Sequence, residues 1–266
     1  MTILGIGLLL TGCATPSQQI ETFARANALE RSIIETTLFR HIVYSRHQGG
    51  STLAVFLEGD GTPWFTPTIV SLDPTPTNPL LLRLLIEINA SAAYVGRPCY
   101  LGLAQDHGCE PRLWTSARYA DVIIESMILA IKNIMARNNY QNVILIGHSG
   151  GGALAMLIAS RMIEQVRGVM TLAANLDIDT WATYHGYAPL AASRNPANLP
   201  AFPASLRQTH FIGAKDRIVP PSITRSGLRN QPYASIFVID DVGHAEWERV
   251  RPQITSVLQR WLHENP

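Results

Sequence analysis

Charge is scarce in this chain of 266 residues. Asp, Glu, Lys and Arg make up only 15% of it, and 21 basic against 20 acidic side chains leave a formal net charge of +1. With no basic run either, nothing electrostatic favours nucleic acid as a partner. Cysteine is scarcer still. Cys13, Cys99 and Cys109 are too few for a CxxC…CxxC zinc site. The apolar run Ile3–Leu10 falls far short of the ~20 residues that a membrane-spanning helix takes. Internal repeats and low-complexity linkers are also missing. What is present is 47% hydrophobic residues, which argues against disorder, and enough length to bury a core without metal or disulfide staples.

The amino terminus reads as a processing signal. Ile3–Leu10 suits the apolar core of a signal peptide and runs into Leu10-Thr-Gly-Cys13. That tetrapeptide resembles the lipobox of bacterial lipoproteins, which implies lipidation of Cys13 and a membrane anchor. Met1-Thr2 lacks the basic residues such signals carry. Ala14 after the cysteine resembles lipoproteins sent to the outer membrane, so the expected location is the bacterial cell envelope, facing the periplasm. The expected organisation is a signal peptide over 1–12, a tether over 13–28 that leads into a short helix, and a single domain over 29–266.

From about residue 38 short apolar runs alternate with helical patterns. Strands are expected at Phe39–Ser45, Thr52–Leu57, Ala92–Val95, Asn142–Ile146, Gly168–Leu172, Thr209–Ile212 and Ala234–Ile239. Most are apolar throughout, as in a parallel sheet buried on both faces. The strongest 3/4 periodicity predicts a helix over Ser116–Arg137, capped by Thr115 or Ser116. Further helices are expected over Gly150–Ile163 and Pro252–His263. The pattern gives an α/β class: a mostly parallel, doubly wound sheet flanked by helices. Leu176–Arg207, rich in proline and aromatics, reads as a small irregular flap rather than a large cap. With Trp64 and Phe65 it could wall an acyl pocket.

The most informative segment is Gly147-His-Ser149-Gly150-Gly151, directly after an apolar strand. G-x-S-x-G lets a strand turn abruptly into a helix with one side chain at the apex, because only small residues two positions either side avoid a clash. The turn exposes the Ser149 hydroxyl and aims the Gly150 N–H beside it, where a helix start favours negative charge. A serine hydroxyl needs a base, and the base an acid to orient it, in the order Ser…Asp/Glu…His. Asp216, after Thr209–Ile212, and His244, after Gly243, fit that order at the ends of two strands. Asp177 and Asp179 are fallback acids, and the seven other histidines fail by order or position. A second oxyanion amide is expected near Asp60 or Gly61, in Leu57-Glu-Gly-Asp60-Gly61.

These motifs resemble the α/β-hydrolase superfamily over about Leu57–Leu262. Leu57–Trp64, Asp73–Thr77, Gly96–Tyr100 and Trp114–Tyr119 resemble a subgroup of bacterial α/β-hydrolase lipoproteins. Glu58 departs from the histidine that many relatives carry before the oxyanion glycine. The resemblance implies a serine hydrolase acting on a small-molecule or lipid ester through an acyl-enzyme, with no metal and no diffusible cofactor. The alternative is a catalytically silent envelope scaffold, which predicts a damaged triad; none is visible. If Cys13 is lipidated, an even pair of cysteines remains for an oxidising compartment, so Cys99 and Cys109 are expected to form a disulfide.

Overall fold

A computed structural model describes residues 14–264. The signal peptide over 1–12 and Cys13 lie outside the described residues. The elements in chain order are α1 Pro16–Ala26, β1 Glu30–Glu35, β2 Arg40–Arg46, β3 Thr52–Leu57, β4 Trp64–Thr66, β5 Ile69–Val70, α2 Leu80–Leu85 and β6 Ala92–Val95. They continue with α3 Asp121–Asn138, β7 Asn142–His148, α4 Gly150–Arg161, β8 Val166–Leu172, α5 Ile178–His185, β9 Arg207–Gly213, α6 Pro221–Gly227, β10 Ala234–Ile239 and α7 Arg251–His263.

Eight strands form one sheet in the order β1-β2-β6-β3-β7-β8-β9-β10. β1, β2 and β6 pair antiparallel, and every ladder from β6 to β10 is parallel. The parallel run explains the apolar strands: β3 and β7 are buried nearly end to end, with helices over the sheet. Parallel strands share one carboxyl edge, so the loops after β3, β6, β7, β8, β9 and β10 open on the same side. That edge is where open α/β sheets place ligands. Five of the seven expected strands keep at least one boundary and three match at both ends: Thr52–Leu57, Ala92–Val95 and Ala234–Ile239.

Four features differ from the sequence reading. Of the segment read as a tether leading into a short helix, nearly all is helix, over Pro16–Ala26, and it is packed rather than free: Thr15 caps it and Ile20 and Ala24 are buried in the main core. β1 escaped the reading because its Glu, Arg and Ser side chains are solvent-facing on an edge strand. The long helix begins at Asp121 rather than Ser116. Residues 111–114 form a short 3-10 turn, and the chain then bends so that Arg118 and Tyr119 point inward. The flap contains an eight-residue helix, α5, capped by the Asp177 carboxylate, which accepts from Thr180 N at 3.2 Å. Eight residues are too few for periodicity to stand out among prolines.

Cys99 and Cys109 are joined, with Cα atoms 5.5 Å apart. The bridge closes the excursion that leaves β6, and its first residues reach back to the sheet edge. Leu101 N donates to Thr75 Oγ1 at 2.7 Å, and Tyr100 Oη to the Asp60 carbonyl at 3.0 Å. Reducing this bridge should lower stability by about 3 kcal/mol through loop entropy. Equilibrium urea unfolding with and without reductant measures the loss. Thiol labelling of denatured, unreduced protein, mapped to peptides, should leave both Cys99 and Cys109 unmodified.

Candidate active site at the carboxyl edge

The elbow follows from sterics. A Cβ on Gly147 would sit 2.4 Å from the Gly151 carbonyl oxygen, and one on Gly151 would sit 1.9 Å from that of Leu57. Neither position admits a side chain. Between them Ser149 is held at φ 51° and ψ −121°, in the left-handed half of φ that L-residues rarely adopt. Its backbone is fixed from both sides: Ser149 N donates to the Leu172 carbonyl at 2.9 Å, and Asn175 N donates to the Ser149 carbonyl at 3.2 Å.

Three side chains meet above the elbow. Ser149 Oγ lies 3.1 Å from His244 Nε2, and His244 Nδ1 lies 2.8 Å from Asp216 Oδ2. With the Nδ1 proton donated to Asp216, Nε2 is left to accept from the serine hydroxyl. Asp216 is buried, and its other oxygen accepts from Ile218 N and Val219 N, both at 2.8 Å. The His244 loop is pinned through its own carbonyl, which accepts from the buried Trp247 Nε1 at 3.0 Å and from His148 Nε2 at 3.2 Å. The fallback acids stand elsewhere. Asp177 bonds Thr180, Ser226 and Asn195, and Asp179 bonds Asn195. Burial would raise the Asp177 carboxyl, but those hydrogen bonds outweigh it and hold it down at about 2.

The rival histidines have structural partners. His41 and His210 are fully buried, and burial pushes them down to about 4 and about 3, so both are neutral at pH 7. His41 bridges the Gly96 carbonyl and Ser126 Oγ; His210 faces Thr171 Oγ1 at 2.8 Å. His185 stacks on Tyr187 and faces the Ile218 carbonyl.

Two groups of residues here were missed by the sequence reading. His148 spans the site: besides its bond to the His244 carbonyl, its Nδ1 lies 3.4 Å from Glu58 Oε1. Glu58 is buried, and its carboxylate also accepts from Leu81 N at 2.9 Å. The acidic residue thus ties β3, α2 and the elbow together. The second group surrounds Asp60. Arg97 Nη1 lies 2.7 Å from Oδ1, Arg118 Nη1 2.9 Å from Oδ2, and the Tyr119 hydroxyl donates to the same carboxylate. Burial would raise the Asp60 carboxyl, yet the two guanidiniums hold it well below the usual carboxylate range. The Gly96–Tyr100 and Trp114–Tyr119 segments were the available signal, but not the partner they share.

The two loop positions considered for an oxyanion amide differ in setting. Gly59 packs directly against Ser149, where an added Cβ would lie 3.4 Å from the serine Cβ. Asp60 follows it, with its carboxylate against the Gly150 Cα. Gly61, at φ 66°, makes its close approach to Pro74 instead. The aromatics imagined as pocket walls also separate. Phe202 is buried in the core, while Trp64, Phe65, Tyr184 and Tyr187 are exposed. Among the described residues no group of three or more His, Cys, Asp or Glu is placed to hold a metal ion.

Comparison with known proteins agrees with the architecture. The family model described as alpha/beta hydrolase fold matches residues 106–212, a stretch that contains the elbow and ends before Asp216 and His244. An esterase of Pyrococcus furiosus superposes with a TM-score of 0.61 at 14% identity, over 95% of each chain. A membrane phospholipase A described as a bacterial virulence factor gives 0.60 at 14%, over 94% of this chain and 93% of the other. The 2-hydroxy-6-oxo-6-phenylhexa-2,4-dienoate hydrolase of Rhodococcus sp. strain RHA1 also gives 0.60 at 14%, over 87% and 99%. No curated protein matches the chain in sequence.

The Asp60 cluster makes a prediction about acid stability. Asp60→Asn leaves two buried guanidiniums short of their counter-charge and should cost about 3–5 kcal/mol near pH 7. Because the folded-state pKa is depressed, this stabilisation is full above the unfolded carboxylate value, about 3.9, and is lost as pH falls below it. The gap between wild type and variant should therefore narrow below about pH 4. Urea unfolding of both proteins across pH 3–7 checks this; a gap that widens in acid would contradict it.

Proposed function

Starting from a chain that is an α/β hydrolase by fold, we propose that it is a serine hydrolase cleaving carboxylic esters, with Ser149 as nucleophile, His244 as base and Asp216 as the acid that orients it. One observation carries the reading: the continuous hydrogen-bonded line from Ser149 Oγ through both ring nitrogens of His244 to a buried Asp216, set on a strained elbow. Fold by itself does not select a function, so the assignment rests on this geometry. The esterase and the phospholipase among the structural neighbours are consistent with it.

In this mechanism His244 Nε2 takes the Ser149 proton as Oγ attacks the ester carbonyl. The tetrahedral oxyanion is received by the amides of Gly150 and Asp60. His244 then gives its proton to the departing alcohol, leaving an acyl-enzyme. Water repeats the sequence with His244 again as base, and Asp216 stays ionised throughout. A carboxylate at Asp60 would by itself oppose negative charge beside Gly150. Two arginines against one aspartate reverse that, and the start of α4 adds to the favourable field. The substrate is a small-molecule or lipid ester. Cys13 carries a lipid that holds the protein at the cell envelope, on the periplasmic face of the outer membrane.

Ser149→Ala should abolish labelling by a fluorophosphonate probe and lower activated-ester hydrolysis by at least about three orders of magnitude. His244→Ala should match it, and Asp216→Asn should lose about 10⁴-fold, because such residues act as a unit. An unlabelled wild type with a folded far-UV spectrum would instead favour the silent scaffold. The anchor is tested separately: Cys13→Ser should move the protein out of the membrane fraction or leave it unprocessed. Mass spectrometry of mature protein finding Met1 intact would overturn the anchor.

A further inference from the structure

Just beyond the loop that follows β3, the chain makes a feature that stands apart from the main sheet. β4 and β5 form a separate two-stranded hairpin, with Trp64 opposite Val70 and Thr66 opposite Ile69. Two strands alone are marginal in water. This pair is held by hydrogen bonds at its base, where Thr62 N and Ser71 N donate to the carbonyls of Pro74 and Pro63 and Trp114 Nε1 donates to the Ser71 carbonyl at 3.1 Å, and by Val70, which packs back against the core. Its large apolar side chains, and Leu72 just past the base, stand partly or largely in solvent: Trp64 is 43% exposed, Phe65 77%, Ile69 56% and Leu72 83%. Successive strand residues face opposite sides, so Trp64 and Phe65 stand on opposite faces of the hairpin. From Gly61 to Leu72 there is no ionisable side chain.

We propose that this hairpin is a membrane wedge: it inserts Trp64, Phe65, Ile69 and Leu72 into the interface of a phospholipid bilayer and so lays the Ser149 edge of the sheet against the lipid surface. Three observations select a bilayer over a protein partner. The first is the amount of apolar surface left over: Phe65, Ile69 and Leu72 stay more than half exposed although Val70, opposite Trp64, packs back on the core. A stretch without charge gives a protein partner nothing polar to register against, while hydrocarbon asks for nothing polar. The third observation is where the amino terminus emerges. Ser17, in the first turn of α1, donates to Asp73 Oδ2 at 2.9 Å, and Asp73 directly follows Leu72. The described chain begins at Ala14, three residues before Ser17. A lipid on Cys13 would thus enter the bilayer beside the wedge, giving the two weak attachments that stable anchoring takes.

The consequence for chemistry rests on the serine-hydrolase reading; the docking does not. Trp64 is four residues from Asp60, which lines the elbow, so a bilayer that takes up the hairpin reaches the mouth of the Ser149 site. The substrate class this favours is the acyl ester of a membrane lipid.

The test uses the full chain reconstituted on vesicles of phosphatidylethanolamine and phosphatidylglycerol, with plain or brominated acyl chains. Tryptophan emission should be quenched by the brominated lipid, and most of the quenching should vanish in Trp64→Phe, which keeps an aromatic wedge. Phe65→Ser/Leu72→Ser should lose the Trp64 quenching, with an unchanged melting curve. Raising salt should change none of this, since no charge takes part. The double variant should also hydrolyse a vesicle-borne ester at least about tenfold more slowly, with a soluble activated ester turned over within about twofold of wild type. Equal emission on plain and brominated lipid would overturn the wedge. So would a concentration-dependent self-association, without lipid, that the double variant abolishes; the hairpin would then be a contact between two copies. Absence of hydrolysis on both esters would count against the Ser149 reading and leave the quenching result to decide the wedge.

Discussion

A single buried carboxylate organises the mouth of the site. Asp60 can remain charged inside the protein only because Arg97 and Arg118 reach it from different parts of the chain and Tyr119 donates to it. Burying an uncompensated charge costs far more than any one surface contact returns. The loop after β3, the loop after β6 and the approach to α3 are therefore drawn together over the Gly150 backbone. Tyr100 adds a bond to the Asp60 carbonyl, and the disulfide at Cys99 secures the segment that carries Arg97 and Tyr100. Even the late start of α3 follows: Arg118 and Tyr119 cannot both be the first turn of an exposed helix and point at Asp60.

A second set of contacts fixes the moving parts of the proposed chemistry. The His244 carbonyl is held by Trp247 and His148, and His148 in turn faces Glu58. Acid, base and nucleophile come from the ends of β9, β10 and β7, so their mutual distances are set by the sheet, while their orientations are set by these loop bonds. Glu58 is thereby more than a departure from a family pattern. It links the strand end that precedes Asp60 to the residue that precedes Ser149.

What could be read from sequence and what could not divide along physical lines. The elbow was legible because its constraint is local: the glycines at 147 and 151 are two residues from Ser149, and sterics dictate the spacing. Asp216 and His244 were legible because parallel strands put their carboxyl ends on one side, so chain order substitutes for distance. The Asp60 cluster was not legible, since its members are 37 and 58 residues from Asp60 (97 and 118 against 60) and no periodicity connects them. β1 was missed because an edge strand facing water carries Glu, Arg and Ser, and α1 was read as a tether with only a short helix at its end because only Ile20 and Ala24 among its residues are buried. Phe65 and Trp64 were assigned to a pocket because composition cannot say whether an aromatic side chain faces in or out.

The two margins of the sheet are finished differently. On one side β1 closes the sheet as a charged antiparallel strand. On the other, β10 pairs only with β9 in the main sheet and leaves Phe237 and Val238 half in solvent. That margin offers a row of unmatched amides and carbonyls beside apolar side chains, the arrangement on which strands of neighbouring molecules add. Lys215, paired with Asp241, is the charge that stands guard at its carboxyl end. Raising the protein's concentration brings these margins together, so edge-to-edge association is a route to aggregation that does not require unfolding.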